Sequence, residues 1–197
     1  MLKLLDILGI DKNNYSDYKI HFATGAYDKM QPYNKFIINQ FNEWQQLQTK
    51  KNFNRPFIIS LIYYDKDIWM YGGIYIVNDF YPKKIIKNDY ILLQYDLSLT
   101  NIQSDLIGRL FVKYKKEFRA SYPNLELQCK NGISPKDMTV SYILDKRVSI
   151  NDFTGFDNVN ITYSTLKYIV ENNITSWKNA LSKVKGIYLI VDELTGK

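Results

Sequence analysis

The stretch from Pro56 to Val77 constrains the fold of this 197-residue chain more than any other part of it. It contains two runs rich in β-branched and aromatic residues, PFIISLIYYD and IWMYGGIYIV, which are typical of strands. The residues DKD lie where the two runs meet, in the position of a tight hairpin turn. Since an isolated hairpin is only marginally stable, this pair predicts a larger sheet built around it.

Four further segments have strand patterns, and together they define the fold class that we expect. They are YKIHFA, DYILLQYDL, DLIGRLFVKYKKEFR and MTVSYILDKR. In the third, Leu110, Val112 and Tyr114 alternate with more polar positions, as on a strand with one buried face. We therefore predict an α+β fold in which a curled, mostly antiparallel and barrel-like sheet is flanked by helices.

The helical patterns lie at the two ends of the chain and before the hairpin. A short amphipathic helix is expected to end at Gly9, and a longer helix with Trp44 on its apolar stripe is expected to begin at a capping Asn34. Two more helices follow the last strand. The candidate N-caps are Thr162 or Ser164 for the first of them and Thr175 or Ser176 for the second.

Composition excludes several classes of site. Cys129 is the only cysteine and His21 the only histidine, so neither an internal disulfide nor a Cys/His zinc cluster can form. We expect Cys129 to be a small buried residue and His21 to be a strand residue rather than a catalytic base. No apolar run is long enough to span a membrane, and we expect a soluble, cytoplasmic protein that has no membrane contact and no cofactor.

The basic residues are the main candidates for a binding function. The formal charge is +6 and the pI about 9.1, which is compatible with a polyanionic partner. The richest stretch, called here the basic segment, runs from Arg109 to Arg119 and interleaves cations with aromatic residues. In such a pattern cations contact phosphates and rings stack on bases, although a strand followed by a solvated charged turn has the same appearance. The candidate DNA-contacting residues are Arg109, Lys113, Tyr114, Lys115, Lys116, Arg119 and Tyr122.

Two other basic stretches could extend such a surface. One contains Lys83, Lys84 and Lys87, and the other is KKNFNR, residues 50–55. The first of these has an equally simple interpretation as the charged end of a hairpin.

A repeated tripeptide, GIY, provides a more specific signal. Gly73, Ile74 and Tyr75 form the first copy, and Gly186, Ile187 and Tyr188 form the second. The residues that soon follow the first copy contain no second motif in which a tyrosine is followed closely by a glycine. We therefore expect Gly73, Ile74 and Tyr75 to lie in an ordinary buried strand.

The second copy opens GIYLIVDELTGK, residues 186–197, which resembles the first strand and turn of a GIY-YIG nuclease domain. The preceding FTGFDNVNITYSTLKYIVENN and the IGRL and YPNLE stretches are similar to the connector and N-terminal domain of a bacterial group within that family. The resemblance implies an N-terminal domain at 1–160, a helical connector at 161–184 and the start of a nuclease domain at 185–197. It also implies that Tyr188 is a catalytic residue.

The chain ends before the second tyrosine motif, the arginine and the metal-binding glutamate of that family. We expect no DNA cleavage by these 197 residues, and a divalent metal such as Mg²⁺ only in a complete nuclease domain.

The resemblance leaves three functions open for the N-terminal domain. It could recognise a sequence or a modified base in double-stranded DNA for a restriction-type or mobile-element nuclease. It could instead be a protein-interaction or regulatory module, or a sensor of a small ligand. Basic residues gathered on one face favour the first function, whereas an exposed apolar patch favours the second.

Overall fold

The computed structural model describes residues 1–85, 90–127, 134–150, 152–153, 155–159 and 161–184. The chain divides into two compact units, one from Met1 to Ser149 and one from residue 150 onward. We call the first unit the sheet domain and the second the helical unit.

Seven strands in the described residues form one curled, mixed sheet that has the shape of a half-barrel. The strands are β1 Tyr18–Ala23, β2 Leu47–Gln48, β3 Phe57–Asp65, β4 Ile68–Ile85, β5 Tyr90–Leu99, β6 Leu110–Lys113 and β7 Thr139–Ile143. Their order is β1-β3-β4-β5-β2, with β6 on the other part of β4 and β7 beside β6. The β1–β3 pairing is parallel and the other pairings are antiparallel. This architecture confirms the predicted α+β fold with a curled, mostly antiparallel sheet.

The predicted hairpin forms between β3 and β4. Asp65 pairs with Ile68, so Lys66 and Asp67 form a two-residue turn. Asp67 has a φ of 59°, the left-handed conformation that aspartate tolerates better than most residues. The hairpin therefore follows from its local sequence.

Strand β4 has a register irregularity at Gly73 and exchanges its partner strand there. Along one edge β4 pairs with β6 through Ile68–Met70, and from Tyr75 onward the same edge pairs with β5. Gly73 lies between these partners with a φ of +111°, and a Cβ at this position would lie 2.7 Å from the Leu99 Cδ1 atom. The glycine of the first GIY copy is therefore required by a strand that exchanges partners. Its neighbours Ile74 and Tyr75 are 0% and 5% exposed, which confirms the prediction of an ordinary buried strand.

Both faces of the sheet are buried, which explains why β3 is an almost continuous apolar run. Ile59 and Leu61 belong to one hydrophobic cluster, and Ile58 and Ile62 belong to the other. Because side chains alternate across a strand, the two clusters lie on opposite faces.

Helices cover these two faces, and the first helix agrees with the sequence prediction. Helix α1, Leu4–Leu8, packs on the face of Ile59 and Leu61. It ends at Gly9, which has a φ of 66° and is the predicted left-handed cap.

The predicted long helix is two short helices, so this prediction was wrong. Helix α2 is Gln31–Ile37 and helix α3 is Phe41–Gln46. Asn39 separates them with a φ of 56°, and the predicted cap Asn34 lies inside α2. The break lets both Phe36 and Phe41 pack into one cluster, and the chain then leaves α3 as β2 because Leu47 pairs with Gln94 of β5. Trp44 packs against the same cluster, as predicted.

The helical unit contains α4, Tyr163–Glu171, and α5, Thr175–Leu181. The Thr162 hydroxyl accepts a hydrogen bond from the Thr165 backbone N–H, which confirms Thr162 as the cap of α4. The predicted cap of α5 was wrong, because its N-cap is Ile174 and has no side-chain bond. Across the described ranges, no helix combines the length and apolar character needed to cross a bilayer.

Strand β6 is much shorter than its alternating pattern predicted. It ends at Lys113, and the backbone N–H of Tyr114 instead donates to the Asp67 carbonyl. The Tyr114 carbonyl accepts a hydrogen bond from the indole of Trp69. These bonds turn the chain away from the sheet, so most of the basic segment after Lys113 is a loop.

Candidate nucleic-acid interface

Three cations of the basic segment are exposed. Lys113 lies at the exposed end of β6, and Lys115 and Arg119 lie in the loop that follows. The Lys115 ammonium is 3.3 Å from a carboxylate oxygen of Glu117, but the pair is on the surface, where such contacts contribute little. These cations are accessible to a polyanion.

The other two cations of the segment are held by backbone oxygens and rings. Arg109 donates to the carbonyls of Leu144 and Asp105 at 2.9 and 3.1 Å, at the opposite end of β6 from Lys113. The ammonium of Lys116 is 3.3 Å from the Arg119 carbonyl and 5.2 Å from the centre of the Phe118 ring. Burial lowers the pKa of Lys116.

The two tyrosines among the candidate residues pack inward. Tyr114 is 3% exposed, and its ring stacks on Phe22 with centroids 5.5 Å apart. The half-buried ring of Tyr122 stacks on His21 at 5.0 Å, and its hydroxyl donates to the Gln48 side-chain oxygen at 2.6 Å. The alternation of cations and aromatic residues in this region thus places rings in the interior and cations outside.

A second basic surface lies on the loop between β2 and β3. Phe53 is 2% exposed and anchors the loop, while the Asn52 amide donates to the Gln48 side chain at 2.9 Å. Lys51 extends outward with its ammonium 4.7 Å above the Phe80 ring. We call the cations gathered here the loop surface; they are Lys19, Lys50, Lys51 and Arg55.

Lys19 joins this surface from β1, which no pattern in the sequence had indicated. Its ammonium donates to the Asn54 side-chain oxygen at 2.8 Å, across 35 residues of sequence. Partial burial lowers the pKa of Lys19, and the nearby charge of Arg55 lowers it further. Two like charges thus lie close together while Lys19 donates to a neutral amide, and an anion would relieve their repulsion.

The third stretch begins on β4. The Lys83 ammonium donates to the Gln94 side chain at 3.0 Å, on the paired arm of β4 and β5. Lys87, Cys129 and the second GIY copy with Tyr188 lie outside the described residues.

The basic surplus of the whole chain lies in the sheet domain. Residues 1–149 contain 21 of the 26 Lys and Arg residues and 15 of the 20 Asp and Glu residues, which accounts for all of the +6 formal charge. A polyanion would therefore be attracted to this unit rather than to the helical one.

Within the part of the chain that the structure describes, the interior contains no arrangement that suggests metal catalysis. Among the described residues, no group of three or more His, Cys, Asp and Glu side chains lies close enough to hold a metal ion. His21 is 2% exposed, and burial lowers its pKa to about 4, so it is neutral near pH 7. It is a buried strand residue, as predicted.

Comparison of the chain with protein-family models, with curated proteins and with solved structures finds no match in any of the three.

Proposed function

We propose that the sheet domain binds double-stranded DNA and serves as the target-recognition domain of a GIY-YIG endonuclease. The observation that carries the DNA-binding part is the environment of two half-buried lysines, Lys19 and Lys116. Burial lowers the pKa of both, and their ammonium groups donate to neutral oxygens of Asn54 and Arg119. Partly desolvated cations without a carboxylate cost free energy in the unbound protein, and a phosphate supplies the missing charge.

The basic segment and the loop surface would contact phosphates, because their exposed cations are sequence-independent binding groups. Tyr114 and Tyr122 would support these surfaces from within, since their rings are packed against Phe22 and His21. The link to a nuclease is supported by the resemblance of residues 186–197 to the start of a GIY-YIG domain. A complete domain of that kind would use a divalent metal, and a cytoplasmic location belongs to the same proposal.

A protein-interaction or regulatory module is the second candidate, and one observation favours it. The end of strand β7 and the residue after it expose consecutive large apolar side chains, with Tyr142 at 40%, Ile143 at 45% and Leu144 at 36%. Leu2 is 54% exposed, and its carbonyl accepts a hydrogen bond from Val140 at the start of the same strand. An edge strand with such side chains is suited to a protein partner.

A fluorescence anisotropy titration distinguishes the two functions. Duplexes of mixed sequence, unmodified and base-modified, are titrated at two salt concentrations with the wild-type chain and with a Lys113→Ala, Lys115→Ala, Lys116→Ala variant. We expect the triple variant to bind all duplexes more weakly and to reduce the salt slope by about 3, since each phosphate contact contributes about 0.9.

The matched control removes the same charge elsewhere in the sheet domain, through Lys12→Ala, Lys29→Ala and Lys35→Ala. We expect a much smaller change of slope for this variant. Equal changes in both variants would mean that net charge alone attracts DNA. Absence of binding to any duplex or single strand at low salt would overturn DNA binding and leave the protein-interaction module.

A further inference from the structure

A cavity of about 260 Å³ opens in the sheet domain, and none of its lining residues belongs to the basic segment or the loop surface. Apolar and aromatic residues form much of its lining, which comes from α2, α3, β4, β5 and the segments after β5 and β7. The principal wall residues are Phe36, Phe41, Tyr75, Leu99 and Ile107. Binding sites for small molecules typically combine such walls with a few fixed polar groups.

One cation faces this cavity. The guanidinium carbon of Arg147 lies 4.4 Å from the centre of the Phe36 ring, and one of its nitrogens donates to the Asn39 side-chain oxygen at 3.3 Å. No Asp or Glu lines the cavity, and within the described part of the chain no carboxylate forms an ion pair with Arg147. Its remaining donors are suited to an anion brought by a ligand.

The backbone around Arg147 fixes the position of its side chain. Val148 donates to the Gly108 carbonyl at 3.0 Å, which docks this segment beside β6. Gly108 has a φ of +71°, and a Cβ there would lie 2.7 Å from Phe36 and 2.9 Å from the Arg147 Cγ atom. Only a glycine allows the arginine stem and the Phe36 ring to approach so closely.

Two residues in uncommon backbone conformations lie at the cavity. Asn39 lines it with a φ of 56°, and Gln103, with a φ of 47°, directly precedes the lining residue Ser104. Non-glycine residues with positive φ cost free energy and cluster at ligand sites. Asn42 adds an amide to the lining, and this amide is held by the carbonyl of Leu97 and the side chain of Gln45.

We propose that this cavity binds a small planar aromatic carboxylate, with the ring against the apolar walls and the carboxylate on Arg147. The aromatic walls favour a ring, and the small volume excludes a large ligand. A single guanidinium can hold a carboxylate through two parallel hydrogen bonds. The Lys and Arg residues proposed to contact DNA do not line the cavity, so either proposal can fail without the other.

The test uses the full chain and benzoate as the probe, with benzamide as its neutral counterpart. Amide NMR signals are followed during titration, and we expect shifts at the lining residues and a benzoate affinity in the roughly millimolar range or tighter. Benzamide is expected to bind at least tenfold more weakly. Equal affinities for the two probes, or no saturable shift at the lining residues up to about 10 mM benzoate, would overturn the proposal.

Two variants connect binding to the cavity itself. Arg147→Gln is expected to weaken benzoate at least tenfold and to leave benzamide almost unchanged, while Lys146→Gln, which removes an adjacent exposed cation outside the lining, leaves both unchanged. Leu99→Trp fills the mouth and is expected to weaken both probes. Thermal unfolding identifies any variant that fails to fold. Undiminished benzoate binding by folded Arg147→Gln and Leu99→Trp proteins would contradict this assignment.

Discussion

The Nδ1 atom of His21 lies 3.3 Å from the Oε1 atom of Gln45, in the interior of the sheet domain. The same oxygen accepts a 2.8 Å hydrogen bond from the Ser60 hydroxyl. Because Oε1 is an acceptor, the contact favours the tautomer with the proton on Nδ1, and the burial that lowers the pKa of His21 to about 4 keeps the imidazole neutral near pH 7. This pair joins β1 to α3 through the only histidine of the chain, and it makes the stability of the sheet domain depend on pH.

We expect acid to destabilise the sheet domain through His21. Burial lowers the pKa of His21 from 6.5 to about 4, so the unfolded chain binds a proton that the folded chain does not. The free energy of unfolding is unaffected by His21 above about pH 6.5 and decreases as the pH falls from 6.5 toward 4. The full loss is about 3 kcal/mol. The imidazole proton signal, which belongs to a single residue, measures this pKa directly; a value near 6.5 would contradict the burial.

Replacing Gly73 by alanine is expected to destabilise the sheet domain by about 2–4 kcal/mol. The new Cβ would meet Leu99 and Ile107 at 2.7 and 3.1 Å, and the φ of +111° is unfavourable for any side chain. Gly9→Ala is the matched control, because Gly9 also has a positive φ but no atom lies within 4 Å of the added carbon. Urea denaturation measures both variants, and equal losses would show that close packing at Gly73 adds nothing.

The Tyr122→Phe change is expected to cost about 1 kcal/mol. The tyrosine hydroxyl donates at 2.6 Å to a Gln48 oxygen that Asn52 also contacts, so one of two bonds to that oxygen is lost. Tyr27→Phe, at a fully exposed side chain, serves as the control and should not change the urea midpoint. An unchanged urea midpoint in the Tyr122 variant would mean that a hydrogen bond from the hydroxyl to water is as favourable as its bond to Gln48.

Lys19→Met is expected to separate stability from binding. In the free protein, removing a half-buried cation that Arg55 repels should leave the melting temperature unchanged or raise it slightly. DNA affinity should fall, because a phosphate contact is lost. Lys12→Met, at an exposed lysine outside the loop surface, is the control. It should change the melting temperature and the DNA affinity less than Lys19→Met does. A lower melting temperature together with unchanged DNA affinity would assign Lys19 a purely structural role.

Local sequence signals determined several elements of this protein. Strands β1 and β3, the turn at Lys66 and Asp67, and the caps at Gly9 and Thr162 each depend on neighbouring residues, so their patterns could be read directly. The α+β architecture with a curled sheet followed from the number and length of the segments with strand and helix patterns. The sequence also singled out the basic segment, because its cations lie close together along the chain.

Only the tertiary structure decided which residues meet. The helix break at Asn39 depends on the packing of Phe36 and Phe41, and the conformation of Gly73 depends on Leu99 and Ile107. Tyr114 packs inward because Phe22 lies on a strand far away in sequence, and Lys19 and Arg55 are neighbours for the same reason. The periodicity of apolar residues predicts which face of a strand or helix a side chain occupies. Contacts between distant strands depend on how the strands pair and how the sheet curves, and the sequence of one segment does not determine either.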